Sequence, residues 1–135
     1  MQLDPEYVRT LEEAKNQKKA EIEAYDMGEN VNGFTINNSM TAWFNPDERV
    51  QYRQSVESAT LLGVETLSFF IGDMEFTIPT ESANHMLAAI HLYADECFIV
   101  TKKHKLAVEK LETIEEVDSY DYTVGYPEKL NFQLA

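Results

Sequence analysis

The sequence predicts an α+β fold: two β-hairpins forming an antiparallel sheet, helices packed on its apolar face, and a long C-terminal helix. Two short segments of alternating apolar residues, each interrupted by turn-forming residues, predict the hairpins. Apolar residues spaced three and four apart between residues 80 and 111 predict the long helix. With 135 residues and 44% hydrophobic content, the chain can form its own core. We therefore expect a single domain over residues 1–135.

The N-terminal segment, residues 1–27, is expected to be a helix that precedes an α+β body over residues 28–135. Asp4 suits the cap, Pro5 the first helical position and Glu6 the positive end of the helix dipole. The helix should run to about Tyr25. Its apolar residues are sparse, so it should be either mostly solvated or packed on a partner protein.

The segment VNGFTINNSMTAWF is expected to be the first hairpin. A three-residue loop at 37–39 pairs Ile36 with Met40 and Phe34 with Ala42, which places apolar residues on one face. A two-residue Asn-Asn turn would set Ile36 against Ser39, which is a poorer match. The longer loop is therefore predicted, with Trp43 on the opposite face.

The next helix should start at Asn45-Pro46, with Asn45 as the cap and Glu48 as its capping-box partner. It should run to about Leu62 and end at Gly63. Its expected apolar stripe is Tyr52, Val56, Ala59 and Leu62.

The second hairpin is expected in LSFFIGDMEFTIP, where Gly72-Asp73 suits a two-residue turn. The predicted pairs are Ile71 with Met74, Phe69 with Phe76, and Leu67 with Ile78. All six side chains are apolar and share one face, and a one-residue slip would destroy the match. Phe70 falls on the other face with Trp43, so that face should be covered.

The long helix is expected to be capped by Thr80 and to reach about Leu111. Its apolar residues repeat at spacings of four and three, which is the heptad pattern of a helix seam. About 30 helical residues span roughly 45 Å, which is longer than a domain of this size is wide. Either the helix breaks near residues 101–104, or part of it projects and packs on another chain. The candidate interface residues are Met86, Ile90, Tyr93, Cys97, Val100, His104 and Leu111.

A capping box at Thr113 and Glu116 predicts a short helix that ends near Ser119. The stretch YDYTVGYPEKL follows, with turn chemistry at Gly125 and Tyr126-Pro127. Large amphipathic aromatics are enriched at interfaces and sugar sites, but they also form small cores. We expect the tyrosines to seal the face near Trp43. The candidate aromatic surface is Trp43, Tyr120, Tyr122 and Tyr126.

The charge balance argues against several partners. There are 11 Lys and Arg against 24 Asp and Glu, for a net charge of −13. Phosphate and anionic membrane contacts need clustered basic residues, so neither nucleic acid nor a membrane is an expected partner. No apolar run approaches the roughly 20 residues that span a bilayer, and residues 1–15 do not resemble a signal peptide. Synthesis and folding in a reducing cytoplasm are expected.

No pattern in the sequence selects a catalytic, cofactor-binding or metal-binding set. Cys97 is the only cysteine, which excludes an intramolecular disulfide and a Cys-rich zinc site. His85 and His91 are six residues apart, so they do not face one site on a helix. His104 lies in the heptad seam beside lysines. We therefore expect a protein that is not an enzyme and that has no cofactor.

Several segments resemble a domain family of unknown function found in phage and prophage genes: KKAEIEAYD, VNGFTINN, MLAAIHLYADECFIVTKKHKLAVEKL and TIEEVDSYDYTVGYPEKLNF. The resemblance covers about residues 18–132, and TIEEVxxYDYTxGYPEKL is its most specific part. Such domains often lie at or near the C-terminal end of tail-fibre or tail-associated proteins. The family has no established catalytic residues to transfer. This chain departs from the family by having its own N-terminal helix in place of a long fibre.

The resemblance implies a non-enzymatic phage structural protein that is tail- or fibre-associated, located in the virion and made in the host bacterial cytoplasm. Its expected partners are other phage structural proteins, in a homo-oligomer or a multi-subunit assembly. An assembly chaperone or adaptor for the tail or fibre is the first alternative. A receptor-binding or carbohydrate-binding module that uses Trp43 and the C-terminal tyrosines is the second.

Overall fold

Within residues 8–134, which the computed structural model describes, the chain forms five helices and five strands. The helices are α1 (Leu11–Asp26), α2 (Glu29–Asn32), α3 (Pro46–Leu62), α4 (Thr80–Glu109) and α5 (Ile114–Asp118). The strands are β1 (Phe34–Ile36), β2 (Met40–Ala42), β3 (Thr66–Ile71), β4 (Met74–Pro79) and β5 (Asn131–Phe132). The predicted α+β class, with two hairpins and a long C-terminal helix, is confirmed.

The first hairpin, β1–β2, has the predicted register, with Phe34 opposite Ala42 and Ile36 opposite Met40. Asn37 and Asn38 take positive φ values of 52° and 61° in the three-residue loop, and asparagine tolerates this conformation better than most residues. The third strand, β5, pairs with β1 in parallel. The sequence pattern did not predict this strand.

The second hairpin, β3–β4, also has the predicted register in all three apolar pairs. It forms a separate two-stranded sheet, so the two hairpins do not join in the one sheet that was expected. Phe69, Ile71 and Phe76 are buried, but Met74 is 55% exposed at the turn. Phe70 is 57% exposed, which corrects the expectation that its face would be covered.

Helix α1 begins later than expected and packs on its own chain. The predicted start at Asp4-Pro5 lies outside the described residues, and residues 8–10 are not helical. Thr10 and Glu13 form the capping box at the observed start. Ala14 and Ile22 are buried against α4 and α5. No other residue of α1 is buried, so the helix is mostly solvated, as one of the two alternatives held.

Helix α3 has the predicted capping box, in which Asn45 accepts a 2.8 Å hydrogen bond from the Glu48 backbone. It ends at Gly63, whose φ of 72° lies in the left-handed region that favours glycine. Val56 and Ala59 are buried, as the stripe predicts. Leu62 is 77% exposed, so that part of the stripe is wrong.

Helix α4 is unbroken for 30 residues, and it does not project from the molecule. Three groups of buried residues lie along its length. The first half packs on both hairpins and α3, and the last turns pack on α1 and α5. Thr80 is not the cap: it is the first helical residue, and its hydroxyl donates a 2.7 Å hydrogen bond to the Val64 carbonyl. The helix can be this long because it serves several small cores in turn.

The largest core lies between the two hairpins, α3 and the first half of α4. Its fully buried members include Phe34, Ile36 and Ile71. A chain of aromatic ring contacts runs through it, from Phe132 to Phe34, and then through Phe44 and Tyr52 to Phe69. In the part of the chain that the structure describes, no helix is long and apolar enough to cross a membrane.

Candidate functional site

The predicted interface seam lies inside the molecule. Met86, Ile90, Tyr93, Cys97 and His104 are each at most 8% exposed. The remaining two members, Val100 and Leu111, are half-buried. The heptad spacing therefore marks the face of α4 that packs on its own chain. This corrects the expectation that these residues form an oligomer interface.

Burial also explains the chemistry of Cys97 and Tyr93. Cys97 is fully buried, and desolvation raises the pKa of its thiol to about 11. A reactive cysteine needs a lowered pKa and an accessible sulfur. Tyr93 donates a 2.8 Å hydrogen bond to the Val31 carbonyl, and burial raises its pKa far above the usual range. Both side chains are placed for packing.

His104 ties α4 to the segment that follows α5. Its Nδ1 lies 2.6 Å from the Tyr120 hydroxyl, and its Nε2 lies 2.7 Å from the Val124 carbonyl. Because a carbonyl only accepts, Nε2 carries a proton, and in the neutral ring Nδ1 then accepts from the Tyr120 hydroxyl. The ring is 8% exposed. His104 is thus a satisfied core histidine that holds the tyrosine segment in place.

The three C-terminal tyrosines gather around Tyr25 and His104. Tyr25 contacts the rings of Tyr122 and Tyr126, at centroid distances of 5.5 and 5.7 Å. The Tyr126 hydroxyl lies 2.7 Å from the hydroxyl of Thr101 on α4. These tyrosines are half-buried and engaged with their own chain. They form a closing cluster, as one of the two sequence interpretations held.

Trp43 is not part of this tyrosine cluster, which corrects the expectation that the tyrosines seal its face. The half-buried indole lines a cavity of about 260 Å³ between the ends of α1 and α3 and the side of α4. Met27 and Phe98 line the same cavity and are 71% and 62% exposed. The four predicted aromatic residues thus belong to two different places.

The Trp43 cavity is the middle one of three that adjoin along one side of α4. The cavity on the α3 side, of about 310 Å³, shares Pro46, Arg49 and His91 with it. The cavity on the α1 side, of about 230 Å³, shares Asp26, Met27 and Phe98 with it. We call the three together the α4 groove. Its middle combines exposed apolar side chains with charged groups of both signs.

Two buried polar atoms at the middle of the groove have no hydrogen-bond partner among the described residues: Arg49 Nε and Asn32 Oδ1. An unpaired buried donor or acceptor costs about 1–3 kcal/mol. The amide nitrogen of Asn32 is engaged, since it donates to the Asp26 backbone carbonyl. Both residues line the same cavity as Trp43, but the two unpaired atoms are themselves buried below its surface.

The α1 end of the groove is bordered by ion pairs between α1 and α4. Lys105 pairs with Glu23, and Lys19 pairs with Glu109. The hydrogen bond and the positive charge of each lysine lower the pKa of its glutamate partner. Because these pairs are exposed, each contributes little to the free energy of unfolding. Their main effect is to hold α1 in position beside α4.

Within residues 8–134, no three His, Cys, Asp or Glu side chains lie close enough together to hold a metal ion. His91 instead lies 3.5 Å from the carboxylate of Asp95, one turn further along α4.

Sequence reasoning identified Trp43 but missed the residues around it. Phe98 and Met27, which line its cavity, are not among the predicted site residues. The signal in the sequence was that Phe98 lies about 100° from Cys97 around the helix, at the edge of the buried face. Arg49 and Asn32 carry no local pattern, because only the packing of α3 and α2 near α4 brings them together.

Comparison of the chain with protein-family models, with curated proteins and with solved structures finds no match.

Proposed function

We propose that the protein is a non-enzymatic bacteriophage structural protein, tail- or fibre-associated, that acts in the virion through protein–protein contacts. The observation that carries the proposal is the α4 groove. Phe98 and Met27 expose most of their apolar surface beside Trp43. Exposed apolar surface rimmed by polar residues is typical of contact sites. An apolar segment of another virion protein would bury it.

The resemblance of residues 18–132 to a phage tail-associated domain family supports the setting. The charge of −13 favours partners with a basic surface over nucleic acid or membranes. The inert placement of Cys97 and His104 in the core supports a structural role. The expected partners are other phage structural proteins, in a homo-oligomer or a larger assembly.

Quantitative mass spectrometry of purified virions tests this proposal. The virions come from the phage or induced prophage that encodes the chain, and lysate of the same infected cells is measured in parallel. A virion component is expected at a constant ratio to known tail proteins after repeated density-gradient purification. Abundance in the lysate with absence from virions would overturn the proposal and would favour a tail or fibre assembly chaperone.

A carbohydrate-binding or receptor-binding module is the second candidate, and the groove supplies a specific observation for it. Sugar sites pair an aromatic ring face with nearby hydrogen-bonding groups. Trp43 provides the ring, and Arg49 and Asn32 are polar residues that line the same cavity. The C-terminal tyrosines no longer belong to this candidate, because they lie in the closing cluster.

A glycan array probed with the wild type and with Trp43→Ala separates this candidate from the first. A sugar-binding site predicts binding to defined glycans that the variant loses while its thermal unfolding midpoint stays near the wild-type value. The matched control is Phe70→Ala, an exposed aromatic on the second hairpin. The absence of glycan binding by the wild type would eliminate the candidate.

A further inference from the structure

Helix α4 carries a second apolar stripe on the side opposite its buried face. Leu92, Ile99 and Leu106 are 62%, 53% and 51% exposed. At about 100° per residue, they lie roughly 140–180° around the helix from the fully buried Cys97. We call these three residues the back stripe. These three residues do not line the α4 groove, but the groove borders the stripe, since Asp95 and Lys102 line its cavities.

The back stripe has the spacing of a helix-pairing surface. Its members are seven residues apart, so they stay nearly in line along the helix and drift by only about 20° per repeat. From Leu92 to Leu106 the stripe is about 21 Å long, at 1.5 Å per residue. Ile99 lies at its midpoint. A stripe this narrow suits a single partner helix lying along α4.

Charged residues flank the back stripe in an alternating pattern. On one flank, Asp95 is followed two turns later by Lys102, and on the other flank Glu96 is followed by Lys103. All four are exposed. Each flank thus carries an acid before the midpoint and a base after it. Such a pattern matches a copy of itself when the copy runs in the opposite direction.

In an antiparallel pair with a two-fold axis at Ile99, Leu92 of one copy meets Leu106 of the other. Equivalent flanks also meet, because the axis is perpendicular to the plane that contains both helices. Measured along the helix axis, the heights of Asp95 in one copy and Lys102 in the second copy then differ by only about 1.5 Å. Glu96 has the same relation to Lys103. The pair would contain three apolar contacts and four opposite-charge contacts.

A parallel pair would be repulsive. Its two-fold axis runs along the helices, so opposite flanks meet at the same height. Asp95 would then lie beside Glu96 of the other copy, and Lys102 beside Lys103. Each copy carries a net charge of −13, so self-association needs opposite charges where the surfaces meet. Only the antiparallel arrangement supplies them.

We propose that two copies of this chain associate through an antiparallel pairing of the α4 back stripe, centred on Ile99. This places self-association on the solvent face of α4 instead of the buried heptad seam. The inference does not rest on the virion role. A protein found in virions could lack the dimer, and a dimer could form in a protein absent from virions.

Cysteine crosslinking tests the register. In Ile99→Cys, the two new thiols meet on the axis, whereas native Cys97 is fully buried and stays unreactive. Mild oxidation should convert most of the variant to a disulfide-linked dimer. Leu61→Cys, at an 84% exposed position on α3, is the matched control and should stay mostly monomeric. Equal crosslinking of the two variants would overturn the proposed register.

Charge reversal tests the pairing itself. The molar mass of each protein in solution is measured by analytical ultracentrifugation. The wild type should form dimers. One double variant combines Asp95→Lys with Glu96→Lys, and the other combines Lys102→Glu with Lys103→Glu. Each should weaken self-association roughly tenfold or more, because each places like charges together. An equimolar mixture of the two variants should recover the dimer. Circular dichroism verifies that both fold. A monomeric wild type, or a mixture without heterodimer, would overturn the proposal.

Discussion

Replacing His104 by phenylalanine should loosen the closing tyrosine segment without opening a large cavity. The phenyl ring keeps the ring contacts that His104 makes with Tyr120 and Tyr126. It removes both hydrogen bonds, one to the Tyr120 hydroxyl and one to the Val124 carbonyl. The substitution therefore isolates the polar part of the contact between α4 and the segment after α5.

The expected loss is about 2 kcal/mol of unfolding free energy, because each intramolecular hydrogen bond contributes about 1 kcal/mol net. For a domain of this size, that corresponds to a fall of roughly 6–10 °C in the thermal midpoint. Tyr120→Phe removes only one of the two bonds, so it should lose about half as much. Because the two residues share that bond, the double variant should lose about 1 kcal/mol less than the sum of the singles.

Urea unfolding followed by circular dichroism gives these free energies, and hydrogen exchange over residues 119–126 gives the local effect. Exchange in that segment should accelerate in His104→Phe more than in α3. His85→Phe is the matched control, because His85 is exposed on the same helix, and it should change stability by less than about 0.5 kcal/mol. A His104→Phe variant as stable as this control would refute the assigned role.

Three further outcomes are expected. In Gly33→Ala the new Cβ would lie 2.5 Å from the Glu29 carbonyl oxygen, so urea unfolding should show a loss of about 1–3 kcal/mol of unfolding free energy. The control Gly28→Ala, with open space around its Cβ, should lose less than about 1 kcal/mol. Equal losses in the two variants would contradict the close approach. Cys97, buried and with its pKa raised to about 11, should react with an aromatic disulfide reagent only after denaturant is added; immediate labelling of the native protein would contradict this. The hydrogen bond and charge of Lys105 lower the pKa of Glu23, so the pair stabilises the fold above the unfolded pKa of about 4.5, and this stabilisation is lost as pH falls through the lower folded pKa. The difference in thermal midpoint between the wild type and Lys105→Met should therefore shrink as pH falls below about 4.5, and a difference independent of pH would contradict the ion pair.

The two hairpins could be predicted in register because a period of two admits only one alignment that places all apolar residues on one face. Ile71 with Met74 and Phe34 with Ala42 are such pairs, and both are observed. Their separation into two sheets could not be predicted, since nothing within a hairpin specifies its neighbour. The same holds for β5, which reaches β1 across more than 90 residues of chain.

Helix α4 shows why a periodic pattern predicts burial more reliably than it predicts a partner. The seam through Cys97 correctly marks a buried face, but the chain itself covers that face. The candidate site likewise combines a feature that local patterns predict with one that they do not. The capping box before Tyr120 and the turn at Gly125 favoured a closing segment, which the structure shows. The surroundings of Trp43 depend on how α1 ends beside α4, which no local signal records.

Incorporation of a groove variant into virions tests whether the α4 groove holds the protein in the virion. Phage lacking the endogenous protein is complemented with the wild type, with Phe98→Asp, or with Val124→Asp, an exposed apolar control position away from the groove. Each variant is first shown to fold by circular dichroism, and the chain is quantified by mass spectrometry in purified virions. We expect the wild type and the control to be incorporated and Phe98→Asp to be lost from the virions. Absence of the wild type from virions, or equal incorporation of all three, would contradict this expectation.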